Sequence, residues 1–180
     1  MAGYRALVRG HEVSARCSIS LYFKYLCDVV PRGADIALHG AMNTLAGPSV
    51  LIVEDEYSIR DVLVELFDVA GSSVASAATL EEAKGVLATR AFDLIVTDIR
   101  LGGRRDGGLQ VIAAAGILSP EAVVIALTAY PDDDNRFASL RLGATHFLEK
   151  PVSLETLAGL ATAAGVPTAM TPLPEGVGAS

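Results

Sequence analysis

From Val50 onward the chain alternates short apolar runs with longer segments of helical period, and that alternation leaves few folds open to it. The runs are Val50-Leu51-Ile52-Val53, Val74-Ala75 in a polar setting, Leu94-Ile95-Val96, Val123-Val124-Ile125-Ala126-Leu127 and Thr145-His146-Phe147-Leu148. Strands with helices between them pair in parallel, because each helix carries the chain back across a face of the sheet. The first, third and fourth runs are almost unbroken in apolar character, as strands covered on both faces are; the second and fifth are mixed and suit edges. The expected fold is therefore α/β, a doubly wound parallel sheet in the strand order 2-1-3-4-5.

The intervening segments supply the helices. Ile59, Val62, Leu63, Leu66 and Ala70 keep helical spacing after the first run, and Leu80, Ala83 and Leu87 after the second. Thr79 with Glu82 three residues on forms a capping box, which predicts the start of the second helix. The stretch Gly102 to Gly108 reads as a loop, followed by a helix from about Leu109 to Leu118 that ends before Pro120. A fourth helix is predicted over Asp133 to Leu142 with Gly143 as its stop, and a fifth from near Ser153.

A chain of 180 residues has room for one core of ordinary size and some extra sequence. Residues 48–163 carry all the periodic signal. Residues 1–47 show no clear period and are expected to be a poorly ordered or non-native extension, with Met42 an alternative start. Residues 164–180 turn to Gly, Pro, Ala and Thr and are expected to form a disordered tail. No Lys or Arg follows Lys150, so no basic DNA-reading module is expected there. The net charge of -7 divides into +2 over residues 1–46 and -9 over the rest, which argues against non-specific nucleic-acid binding.

Cys17 and Cys27 have no histidine partners at metal spacing and read as reduced thiols. The run from Ser18 to Val30 is broken by Lys24 and Asp28 and falls short of the roughly 20 apolar residues that span a bilayer. A soluble, cytoplasmic protein with no membrane partner is expected. His11, His39 and His146 lack partners at catalytic or ligand spacing.

In an open parallel sheet, chemistry collects beyond the carboxyl ends of the strands, near the point where strand order reverses. Glu54 and Asp55 follow the first strand, Asp98 ends the third, Thr128 closes the fourth and Lys150 lies just past the fifth. Three carboxylates gathered there repel one another, and a hard divalent cation relieves that repulsion. Oxygen ligands at this density suit Mg²⁺, which is commonly completed by a phosphoryl oxygen. A lysine charge and a hydroxyl also suit phosphoryl oxygens. Each residue alone has a plain structural reading: Glu54 and Asp55 would favour a helix start, Asp98 would end a strand, and Phe147 would fill core.

Together they match a family. Residues Val50 to Leu157 resemble the receiver domain of two-component response regulators, through Val-Leu-Ile-Val-Glu-Asp-Glu, Asp-Leu-Ile-Val-Thr-Asp, Ala-Leu-Thr-Ala and Leu-Glu-Lys-Pro in order. The resemblance implies a flavodoxin-like (βα)5 fold and a stand-alone receiver that is not itself an enzyme. It implies that Asp98 accepts a phosphoryl group from a histidine kinase or histidine phosphotransfer protein. Asp55, Asp98 and the backbone carbonyl of Arg100 would hold Mg²⁺ directly, with Glu54 acting through water.

In such domains the hydroxyl at Thr128 and the aromatic at Phe147 move on phosphorylation and reshape the face built from the fourth helix, fifth strand and fifth helix. Arg100 and Tyr130 would set the lifetime of the phosphoryl group, and Lys150-Pro151 would be cis. A phosphorylation-dependent homodimer through that face is compatible with this reading. Two departures stand out: Gly102 replaces a common proline, and the Asp106-Gly107 pair arrives one residue late. The alternatives are a receiver-like interaction module working without phosphorylation, and a flavin domain, which the lack of a phosphate loop after the first strand disfavours.

Overall fold

The computed structural model describes residues 47–171. The readings that concern Cys17, Cys27, His11, His39 and Met42, and the end of the tail from residue 172, lie outside the described residues. Five strands, β1 (Ser49–Val53), β2 (Ser73–Ala77), β3 (Leu94–Asp98), β4 (Val123–Thr128) and β5 (His146–Glu149), alternate with five helices. The helices are α1 (Tyr57–Phe67), α2 (Leu80–Leu87), α3 (Gly107–Leu118), α4 (Asp133–Leu142) and α5 (Leu154–Ala163). All strand pairs are parallel, in the order β2-β1-β3-β4-β5, the order expected from the apolar runs.

Alternate residues of each central strand enter opposite layers, because successive side chains of a strand point to opposite faces. Val50 and Ile52 of β1, Leu94 and Val96 of β3, and Ile125 and Leu127 of β4 pack with Leu63, Leu66 and Phe67 of α1 and Leu157, Ala158 and Ala161 of α5. Leu51, Val53, Ile95, Val124 and Ala126 pack on the other face with α2 and α3. Strands covered on both sides need no polar alternation, which is why β1 and β3 are buried throughout.

The helix signals act where they stand. Thr79 accepts from the Glu82 amide, and the Glu82 carboxylate accepts from the Ala78 amide, so the box at the start of α2 closes through the residue before the cap. Asp132 accepts from Asn135 and Ser153 from Thr156 at the starts of α4 and α5. Gly143 ends α4 with φ of 110°, a left-handed conformation that costs glycine little. Helix α3 begins at Gly107, two residues before its expected start.

Residues 164–171 correct the expectation of a disordered tail from residue 164. The chain turns at Gly165, buries Val166 and Thr168, and donates from the Ala169 amide to the Leu66 carbonyl near the end of α1. Val166 joins the core layer shared by α1 and α5. An apolar side chain had surface left to cover, and the last-turn carbonyl of α1 had a donor to gain.

Candidate functional site

Strand register assembles the site. Val53 pairs with Thr97, so Glu54, the residue after β1, falls level with Asp98 at the end of β3. Asp98 pairs with Leu127, which puts Thr128 one step further along, and the Lys150 amide donates to the Thr128 carbonyl at 2.7 Å. Glu54, Asp55, Asp98, Thr128 and Lys150 thus meet at the carboxyl edge of the three central strands and β5.

Glu54, Asp55 and Asp98 each bring a carboxylate oxygen to within 4.8 Å of the others. Glu54 and Asp98 are buried and Asp55 is exposed. Lys150 reaches into this cluster: its Nζ donates to Glu54 Oε2 at 2.6 Å and also to Asp98 Oδ2. Burial pushes the Glu54 carboxyl above its ordinary value, against the pull of the nearby ammonium. Burial also works against the Lys150 charge, but its hydrogen bonds to Asp98 and Glu54 outweigh this and hold it above the usual lysine value.

Backbone groups fix the acids from the other side. The Arg100 amide donates to Asp98 Oδ1 at 2.9 Å, and the Gly102 amide donates to Asp55 Oδ2 at 3.0 Å. The departure in the β3–α3 loop has a structural account: Leu101 and Arg104 exchange two backbone hydrogen bonds around Gly102 and Gly103, whose φ values are 58° and 78°. Positive φ at both central positions is the glycine-favoured primed turn, and this tight turn absorbs the extra residue. After it, Gly107 packs on Leu101 and Gly108 brings the start of α3 against the backbone at the end of β3, with the Gly108 amide donating to the Ile99 carbonyl at 2.9 Å.

A cleft of about 760 Å³ opens beside the carboxylates, lined by Asp55, Asp98, Arg100, Tyr130 and Lys150 and continuing along Val62 of α1. The Arg100 guanidinium lies over the Tyr130 ring at 3.8 Å. Thr128 is buried, and its hydroxyl accepts from the Tyr130 amide at 3.1 Å. Phe147 is half-buried and packs on the α2–α3 side of the sheet. His146 is half-buried in β5 opposite Ile125. The Lys150-Pro151 bond is cis.

The sequence reading missed Arg60. Its Nη1 donates to the carbonyl of Glu54 at 2.6 Å and of Asp55 at 3.3 Å. An arginine one turn into α1, after an acid pair, was the available signal.

The family model for the response regulator receiver domain matches residues 50–162. The chain belongs to the response regulator receiver family. Response regulator protein PilR of Pseudomonas aeruginosa is 37% identical over 115 residues, which is 63% of this chain and 25% of PilR. The phosphate regulon regulator PhoB of the same species is 31% identical over 109 residues, 61% of this chain and 48% of PhoB. The receiver chain thus spans a quarter to a half of these relatives.

Among solved structures, a CheY-like receiver from Methanospirillum hungatei aligns with a TM-score of 0.60 at 28% identity, covering 65% of this chain and 92% of that one. A Burkholderia pseudomallei response regulator, solved with a phosphorylated aspartic acid, a calcium ion and citrate, aligns with a TM-score of 0.58 at 28% identity, covering 66% and 69%. Receiver domains are generally non-catalytic signalling domains that bind a divalent metal in an acidic site and generally interact with histidine kinases and phosphotransfer proteins. No helix among the described residues is long and apolar enough to cross a membrane.

Proposed function

We propose that this receiver takes a phosphoryl group onto Asp98 from a phosphohistidine of a kinase or phosphotransfer protein, with Mg²⁺ as its metal. The observation that carries the reading is the cluster of three carboxylates within 4.8 Å of one another, two of which, Glu54 and Asp98, are held by one lysine. Hard carboxylate oxygens fit Mg²⁺, and Asp55, Asp98 and the Arg100 carbonyl would hold it, with Glu54 acting through water. When bound, the metal neutralises charge on the phosphoryl oxygens.

An Asp98 carboxylate oxygen attacks phosphorus while the bond from phosphorus to the histidine nitrogen breaks and its electron pair returns to the imidazole. Lys150, already ion-paired with Asp98, offsets the charge of the transferring group. Thr128 then gives up its contact with the Tyr130 amide to bond a phosphoryl oxygen, and Phe147 moves into the space released. The face of α4, β5 and α5 changes shape and signals to a protein partner, a second copy among the candidates. A cytoplasmic location follows from the same reading.

Arg100 stacked on Tyr130 covers the cleft beside Asp98 and shields the acyl phosphate from water. An Arg100→Ala, Tyr130→Ala double variant should therefore lose its phosphoryl group several times faster than wild type, read by intact mass over time. Equal decay would remove the shielding role.

The deciding experiment is incubation with Mg²⁺ and acetyl phosphate, read by intact mass, on wild type and Asp98→Asn. A phosphoryl adduct on the wild type alone, lost with a chelator, supports the reading. No adduct on either points to an interaction module that works without phosphorylation.

A further inference from the structure

We propose that Arg60 is a positioning residue for the divalent-cation site, acting through the backbone of the two acids that precede α1. The inference rests on the metal-binding reading above. The loop of residues 54–56 joins β1 to α1, and its start is tied to β2 by the Glu54 amide, which donates to the Ala77 carbonyl at 3.1 Å. The two carbonyls of the acid pair point the other way, toward α1. One guanidinium nitrogen meets both, at 2.6 Å from Glu54 and 3.3 Å from Asp55.

The helix itself does not supply this restraint. Glu56, the residue before α1, makes no side-chain cap, and its carboxylate instead accepts from the Ser58 hydroxyl. Arg60 is on the first turn, its own amide donates to the Glu56 carbonyl at 3.0 Å, and its guanidinium rests 5.6 Å from the centre of the Tyr57 ring. A planar fork anchored in a helix and against an aromatic face is pre-organised, so little freedom is lost in making the two contacts.

Fixing the peptide carbonyls of residues 54 and 55 fixes the directions in which their Cα–Cβ bonds leave the chain. The exposed carboxylate of Asp55 has one other restraint here, the Gly102 amide. Arg60 and Gly102 together hold Asp55 from backbone and side chain. The positive charge of Arg60 is engaged with the backbone carbonyls of Glu54 and Asp55, so it offsets part of the repulsion within the acid pair from the main-chain side.

The test is Mg²⁺ titration by calorimetry on wild type, Arg60→Met and Arg60→Lys, with the melting temperature of each measured in chelator. The methionine variant keeps the apolar stem and removes the donors, and should bind Mg²⁺ about tenfold more weakly, the lower end of the loss seen when an outer partner of a metal ligand is removed. The lysine variant, which keeps the charge and one donor nitrogen, should recover most of that loss. A merely structural role would lower the metal-free melting temperature of Arg60→Met and leave its Mg²⁺ affinity at the wild-type value; that result overturns the proposal. Absence of saturable Mg²⁺ binding by the wild type would overturn the metal reading itself, and the two failures are told apart by that one titration.

Discussion

At the scale of single residues, the site stores unfavourable charge that one lysine holds in check. Lys150 is only 15% exposed at its side chain and faces two buried carboxylates. Replacing it by methionine leaves those carboxylates without their ammonium, and breaking a buried pair in this way costs about 3 kcal/mol or more. Lys150→Met should therefore be destabilised by about that much in chelator at neutral pH, and added Mg²⁺ should raise its melting temperature more than it raises that of wild type. Because Lys150 titrates above its ordinary value of 10.5 when folded, its contribution is complete below that pH and is lost as pH rises through the higher folded value.

Glu54 works in the opposite sense from a salt-bridged acid. Its folded value lies above the ordinary 4.5, so between the two the native carboxyl keeps a proton that the unfolded chain has released. Stability is lost as pH rises through that window. In chelator, Glu54→Gln should gain stability relative to wild type as pH climbs from 4.5, measured by urea unfolding at a series of pH values; a constant difference would contradict the sign. The residues of this cluster were legible in the sequence because each ends or follows a strand of the sheet. Arg60 was not, because its contacts run to backbone carbonyls that no side-chain motif announces.

At the scale of elements, periodicity placed the strands, while the limits of helices followed contacts that periodicity does not carry. Helix α3 begins inside a Gly-rich stretch that reads as loop, since glycine is a poor helix former. The structure needs those glycines for space: a Cβ on Gly108 would lie 2.0 Å from the Asp98 carbonyl oxygen and 2.6 Å from the Ile99 Cα. Backbone on both sides leaves nothing that can move cheaply. Gly108→Ala should lose about 3 kcal/mol or more in urea unfolding, the range of severe overpacking. Gly116, exposed on the same helix, offers the contrast, for its added Cβ meets only the Leu142 carbonyl oxygen at 3.4 Å. Gly116→Ala should be neutral or stabilising by up to about 1 kcal/mol, from helix propensity alone. If both substitutions cost the same, the close approach of α3 to the end of β3 is not what Gly108 provides.

For the whole molecule, the two ends of the sheet carry different duties. Helices α1 and α5 leave from the carboxyl edge, where the site lies, and run back to the amino edge, where residues 164–171 bind them together. Composition hid this segment, because small residues and proline read as tail; Val166 joins the core layer between the two helices, Thr168 is buried beside it, and the Ala169 amide bonds the Leu66 carbonyl. Trimming Val166, which is 1% exposed, should therefore cost stability without touching the chemistry. Val166→Ala removes apolar volume from a packed layer and should lower the unfolding free energy by about 2 kcal/mol, the sum of lost transfer energy and a partly unfilled cavity. Because Val166 packs at the last turns of α5 and α1, away from the strand ends that carry Asp98, the extent of Mg²⁺-dependent modification by acetyl phosphate should stay at the wild-type level in the folded variant. A variant that unfolds more easily yet phosphorylates normally would show that closure at the amino edge holds α1 and α5 in place independently of the acidic site. A change in both would mean that the position of α1 couples the two edges, and that the packing of Val166 reaches the loop carrying Glu54 and Asp55.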